Sequence, residues 1–441
     1  MMRASFDALT DHLKVRLAPG EAFTAWFQGE NSDFVRMTQS KVRQPGSVSQ
    51  RALSVDLIRG QRHAGGTVAV SGDAAVDRQR VEALVDALRA ALAHVPEDPF
   101  LLYNQSSEKT ELVQEDDLRD AAEVTAHVLD RTRGLDFVGI YAAGRVYRGF
   151  ASSFGQRSWF ERASFHLDFS LYLRADKAVK GGYAGEAWND DEFTLRLQTA
   201  MADLEIIGRP PKTIEPGTYR VYLAPAAMAE ILSILSWNGF GLKSHRTRQT
   251  VFLKMLTGDA RLDERISLTE NTADSTGPAF GAAGFLKPPQ VELIKNGRYV
   301  GTLCSPRSAQ EYGVATNGAR DDEMPQALDL APGNVPAEEV TARLDTGIFV
   351  SRLWYLNYSD RPAGRITGMT RFATLWVEKG RVVAPLNVMR FDETIYRMLG
   401  ENLVGLTRER DFILDNDTYY QRSTACARVP GALVRDMRFT L

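Results

Sequence analysis

The feature that most constrains this chain is the repeated change of its hydrophobic period. Stretches with every second residue apolar alternate with stretches whose apolar residues recur every three or four. Phe23, Ala25 and Phe27 occupy alternate positions, as do Val35 and Met37; Ala52–Val55–Leu57–Ile58 and Thr67–Val68–Val70 extend the pattern. A period of two is what a strand with one buried face requires. Glu30-Asn31-Ser32-Asp33, Pro45-Gly46, Arg59-Gly60 and Gly65-Gly66 separate these runs and predict four strands between residues 22 and 70. On either side the period is helical. Phe6, Leu9, Leu13 and Leu17 line one face, and Val76, Val81, Leu84, Val85, Leu88, Ala91 and Leu92 line another. Asp73 is placed to cap the second helix and Pro96 to end it.

The rest of the chain repeats this alternation. A helix is expected over about 115–133, a strand meander over 136–188 and a helix over 189–207, followed by the break Arg209-Pro210-Pro211. Tyr219–Val221–Leu223 reads as a buried strand that leads through Pro225 into an apolar helix, 226–237; another helix is expected at 246–256. Asn296-Gly297 and Glu378-Lys379-Gly380 each sit between apolar runs and predict hairpins. Extended stretches at 347–358 and 366–387 imply a large antiparallel sheet, and the acidic, proline-rich stretch 316–341 reads as a surface loop. The fold class is α+β. A strand-helix domain spans 1–100, a strand-rich middle region 115–210, and a large antiparallel-sheet domain with helices 214–441.

Composition narrows the function classes. Lys plus Arg number 53 and Asp plus Glu 56, a net charge of −3 that offers no electrostatic footprint for nucleic acid or an anionic membrane. The two cysteines, Cys304 and Cys426, exclude a disulfide framework and suit a reducing compartment. No signal-peptide core and no run of ~18 apolar residues is present, so a soluble cytoplasmic protein is expected.

Chemistry-bearing motifs are sparse. The histidines, His12, His63, His94, His127, His166 and His245, are too far apart for a two-histidine helix face. No nucleophile elbow and no phosphate-binding glycine loop occurs. Gly277–Gly284 reads as a plain loop or as one that closes over something. Asp190-Asp191 and Asp321-Asp322 sit in polar turns and read as solvated, and both thiols as buried and inert.

A family resemblance enters through ordered stretches, none specific alone. Ser32 to Val42, with the strand and turn after it, is similar to the opening of the TldD/PmbA (TldE) family, once called modulators of DNA gyrase. Val146 to Gly155 resembles that family's strand turn, with Ser152 where asparagine is usual. Pro216 to Leu232, Leu293 to Val300, Ser308-Ala309, Thr316-Asn317-Gly318, Thr370-Arg371-Phe372 and Ile395 to Leu403 follow in the family's order. In that family the TldD-type subunit carries His-Glu-x-x-x-His on the helix after this strand, with a distant cysteine as third zinc ligand. Here Glu230 stands at the motif glutamate, but Ala229 and Ile234 replace the histidines; Cys426 is the candidate remnant of the cysteine ligand.

The resemblance therefore implies a PmbA/TldE-type subunit, with no cofactor in this chain and zinc in a TldD-type partner. The pair would cleave unfolded or modified peptides taken up as extended strands. An autonomous enzyme using Cys304 or Cys426, and a peptide-binding homodimer without metal, are the alternatives. Glu230 itself also reads as an ordinary exposed residue on an amphipathic helix.

Overall fold

The computed structural model describes residues 2–115, 117–174 and 177–440. The elements in chain order are α1 (Met2–Arg16), β1 (Ala22–Thr38), β2 (Lys41–Arg59), β3 (Arg62–Ala69), α2 (Ala74–Leu92), β4 (Lys109–Val113), α3 (Ala121–Arg131), β5 (Asp136–Ser152), β6 (Arg157–Arg174), β7 (Lys177–Gly185) and α4 (Asp190–Ile207). They are followed by β8 (Gly217–Leu223), α5 (Pro225–Ser236), α6 (Leu242–Arg246), α7 (Leu253–Leu256), β9 (Leu268–Asn271), β10 (Gln290–Lys295), β11 (Arg298–Tyr299), α8 (Pro306–Tyr312), β12 (Ala327–Leu330), α9 (Val340–Leu344), β13 (Gly347–Asp360), β14 (Arg365–Glu378), β15 (Arg381–Pro385), β16 (Arg390–Thr394), β17 (Leu403–Leu414) and β18 (Cys426–Phe439). Residue 116, inside the helix expected from 115, lies outside the described residues, and that helix begins at Ala121 with Asp120 as its cap.

The alternating run after α1 forms three long strands where four were expected. Only Arg59-Gly60 among the four expected breaks is a turn. The stretch Glu30–Asp33 lies inside β1, paired with β2 on one side and β5 on the other. Pro45 is tolerated in β2 because β3 pairs only with Ala52–Arg59, so Pro45 lies where β2 is an edge. Gly66 lies within β3 because α2 packs closely there: a Cβ at Gly66 would sit 2.6 Å from Leu84 Cδ1. The true β1–β2 turn is Gln39-Ser40, both left-handed at φ 53° and 52°. No glycine marks it. Instead the Ser40 amide donates to the Phe137 carbonyl (3.1 Å) and its hydroxyl reaches the Thr132 and Leu135 carbonyls (2.8 and 2.7 Å).

The strands β1 to β7 form one seven-stranded sheet, ordered β3-β2-β1-β5-β6-β4 with β7 on β6. The regions 1–100 and 115–210 are thus joined by the continuous β1–β5 ladder. α1 and α2 cover one part of this sheet through Phe6, Leu9, Phe23, Phe27, Val81 and Val85. α3 and α4 cover the rest through Val124, Val128, Phe137, Phe169, Phe193 and Leu197. Within α2 the expected stripe holds at Val81, Val85, Leu88 and Leu92, whereas Val76 in the first turn is exposed.

The second half builds an eleven-stranded sheet, mostly antiparallel. It departs from the expected pattern at two parallel pairs, β8 with β13 and β12 with β18. The 316–341 stretch is the source of one: it carries β12 inside the sheet, and Glu323 is buried, accepting from the Ser305 and Lys243 amides at 2.9 Å each. The helix expected at 246–256 is split into α6 and α7, because Arg248 turns left-handed (φ 58°) and the Thr250 hydroxyl donates to the Gly239 carbonyl (2.7 Å). Asn296-Gly297 and Lys379-Gly380 are two-residue turns with positive φ throughout. Among the described residues, no helix is long and apolar enough to cross a membrane.

Candidate functional site

α5 starts as its sequence dictates. Pro225 fits the first helical turn, where an N–H would have no partner. Ala227, Met228, Ile231, Leu232 and Leu235 then bury one face in the core of the second half. Ile234 is buried among them and Ala229 packs against them. Neither a methyl group nor a sec-butyl group offers a lone pair, so the positions flanking Glu230 do not fit zinc. Among the described residues, no group of three or more His, Cys, Asp or Glu side chains is arranged to hold a metal ion.

Glu230 is exposed and points from α5 toward the seam between the two sheets. Desolvation by the surrounding protein pushes its carboxyl above the ordinary range, against the pull of Arg352 and Lys180. Arg352 of β13 lies beside Gly182 of β7. Burial lowers its pKa, opposed by Asp168, Glu230 and Asp411. Asp168 of β6 is engaged already, by Lys180 of β7 at 2.9 Å and by the Asn416 amide at 3.2 Å. Asp411 of β17 faces Arg196 of α4 at 3.6 Å. Charges of both signs from the two sheets therefore lie within electrostatic reach of one another here, with Glu230 on the α5 side.

The other sequence candidates lie elsewhere. Cys426 opens β18, half-buried, its thiol pushed up by burial against hydrogen bonding with Thr276. Its charged neighbours are Arg428 and Glu270, whereas those of Glu230 are Arg352 and Lys180, so the fold does not bring the two residues together. Cys304 is buried and its thiol is raised to about 11 by burial and Glu323, which leaves it protonated near neutral pH. His166 is buried in β6, lowered to about 4 by burial and Arg422, and is therefore a neutral imidazole near neutral pH. Asp190 is half-exposed, as its polar turn implies, and is also held by Arg119 (2.9 Å) and the Trp188 indole (2.8 Å). The Gly277–Gly284 loop is packed down, with Phe280 buried against Val146, Phe150 and Phe160.

Sequence reasoning missed Arg352, Lys180 and Asp168. They sit on three strands, and each is one charge inside an otherwise ordinary strand pattern. An arginine interrupting the apolar run Ile348–Leu353 was the single available signal.

A family model described as the PmbA/TldA metallopeptidase C-terminal domain matches residues 216–441. The whole chain is also similar in fold to solved structures. TldE from Thermococcus kodakarensis matches with TM-score 0.78 at 12% identity, covering 100% of this chain and 99% of that one. A protein described as a modulator of a DNA gyrase from Thermotoga maritima matches with TM-score 0.76 at 12% identity, over 100% of both chains. A protein described in the same way from Bacteroides thetaiotaomicron matches with TM-score 0.72 at 13% identity, over 100% of this chain and 98% of that one. No curated protein sequence matches the chain.

Proposed function

The chain belongs to the TldD/PmbA metallopeptidase family, and from that premise we propose that it is a PmbA/TldE-type subunit that handles peptides without a metal of its own. The observation that carries this reading is the donor set on α5: Ala229 and Ile234 stand where a zinc-bearing relative would need ligands, and the charges acting on Glu230 are those of Arg352 and Lys180. A carboxylate without a metal-bound water has nothing to activate in the way a metallopeptidase requires.

What this chain's residues can do is bind. β13 pairs with β8 only from Ile348 to Val350, so from Ser351 onward no described strand pairs with that edge. An open edge beside these charged side chains suits an extended peptide, held by main-chain hydrogen bonds. In this reading the catalytic ion resides in a zinc-bearing TldD-type partner, the two act together in the cytoplasm, and the substrate is an unfolded or modified peptide.

The test is metal content and peptide cleavage of the purified chain, alone and mixed with a zinc-bearing TldD-type subunit. The chain alone should hold no stoichiometric zinc and cleave nothing, and the mixture should form a complex that cleaves. Zinc at one per chain, or cleavage by the chain alone, would overturn the proposal.

A further inference from the structure

On β13 and β14, Arg352 and Arg371 are directly opposed across the antiparallel ladder. Like charges in that position repel, and a purely structural ladder would place an acid between them. Here neither guanidinium hydrogen-bonds or ion-pairs with an acid among the described residues. Arg371 stacks on Trp354 (3.9 Å from the ring centroid) and on Phe372 (5.2 Å). Arg352 feels Asp168, Glu230 and Asp411 only through space, and two of those are bonded elsewhere.

The backbone aims these side chains deliberately. Val350 is buried in the core, and alternation would send Arg352 the same way. A bulge between Val350 and Arg352 shifts the phase, so that Leu353 and Thr370 face the core while Arg352, Trp354 and Arg371 share the opposite face. Tyr355 and Phe372, both left-handed (φ 57° and 59°), flank this arginine pair. Gly182 of β7 lies against this guanidinium: a Cβ there would stand in ordinary contact, 3.7 Å from Arg352 Nη2. A guanidinium stacked on an indole keeps its in-plane N–H groups free for a planar anion.

We propose that Arg352 and Arg371 form a carboxylate-binding site at the seam between the sheets, and that it grips a carboxylate of the peptide lying along the open edge of β13. This rests on the peptide-handling reading above. The carboxylate comes from the peptide's C-terminus or from an Asp or Glu side chain, since the two present the same fork.

The experiment uses the full chain, alone and in complex with a zinc-bearing TldD-type subunit, and three fluorescent decapeptides. One has a free C-terminus and no acidic side chain, one is its C-terminal amide, and one is the amide with a single internal Glu. Wild type should bind the free acid or the Glu peptide at least tenfold more tightly than the plain amide, and whichever gains names the source. The double variant Arg352→Gln, Arg371→Gln should lose that preference and bind the plain amide as wild type does, its fold checked by circular dichroism. Arg352→Lys, Arg371→Lys should recover only part of it, because an ammonium lacks the fork. Equal binding of all three peptides to wild type, or a preference that survives in the Gln variant, overturns the carboxylate site alone. No binding of any peptide, by the chain or the complex, overturns the peptide-handling reading and the site together.

Discussion

Arg422 is a buried charge that ties the two halves together. It is fully buried in the first sheet although it belongs to the loop between β17 and β18 of the second. Its guanidinium donates to the Gly144 carbonyl (2.9 Å) and to the Ser164 carbonyl and hydroxyl (2.7 and 2.8 Å), and its amide donates to the buried Glu30 carboxylate (3.1 Å). A buried charge is tolerable only while paired, and removing one member leaves the other stranded. Arg422→Ala should therefore cost about 3 kcal/mol in urea denaturation, since the Gly144 and Ser164 carbonyls lose their donor and the buried Glu30 loses the neighbouring positive charge at once. Arg422→Lys should recover part of that, keeping the charge but not the two-sided reach. A change below about 0.5 kcal/mol for the alanine variant would show that water replaces the side chain freely.

At the scale of elements, α4 contains a residue in the wrong place. Asp203 lies in the last turns of the helix, and burial alone raises its carboxyl to about 6. A negative charge near a helix C-terminus also opposes the macrodipole. Because the folded pKa lies above the unfolded one, the native state holds the proton more tightly. Stability from this group is present below pH ~4 and is lost as pH rises through 6. Asp203→Asn should therefore stabilise by about 1 kcal/mol at pH 7, allowing for the residue's partial contact with water, and by almost nothing at pH 4. A gain equal at both pH values would place the effect in packing. Signals as local as this one were the legible part of the sequence. Asp73 caps α2 by accepting from the Ala75 and Val76 amides, and Asn296-Gly297 and Lys379-Gly380 turn as their residues require. The Gln39-Ser40 turn was not legible, because what holds it is the Thr132–Leu135 segment almost a hundred residues on. Glu230 could be placed on a helix from its neighbours, but the charges around it come from β6, β7, β13 and β17, which no local pattern joins. Ala229 and Ile234 are unremarkable core residues until set beside a family motif.

At the scale of the molecule, the two sheets are fastened together by side chains that each half lends the other. Arg422 is one fastening, and the bond from Arg162 of β6 to the Ser275 carbonyl is another. The Gly277–Gly284 loop is an apolar one, beside the packing of Ala373 and Leu375 of β14 against the first half. It inserts Phe280 between Val146, Phe150 and Phe160 of the first sheet, edge-on to Trp26 at 5.8 Å. Its Gly284 carbonyl accepts from the Asn104 amide (2.9 Å) and the Gln156 amide (2.6 Å) of the first half. Loops with polar backbone stay near water unless such partners satisfy them, so this loop is a plug seated by both kinds of contact. Truncating a buried phenylalanine typically costs ~3–5 kcal/mol, through lost transfer energy and the cavity left behind. Here that loss falls on the coupling between halves, because the ring and its pocket come from different sheets. Wild type should unfold on heating as one calorimetric transition. Phe280→Ala should lower the midpoint by several degrees and separate the trace into two transitions, whereas Leu375→Ala, near the same seam but on the face toward α4, should shift the midpoint and keep one transition if the plug is the principal coupler. A single, unshifted transition for Phe280→Ala would mean that the seam is held by its charged fastenings, with Arg422 foremost, and that the loop rests on the first sheet without binding it.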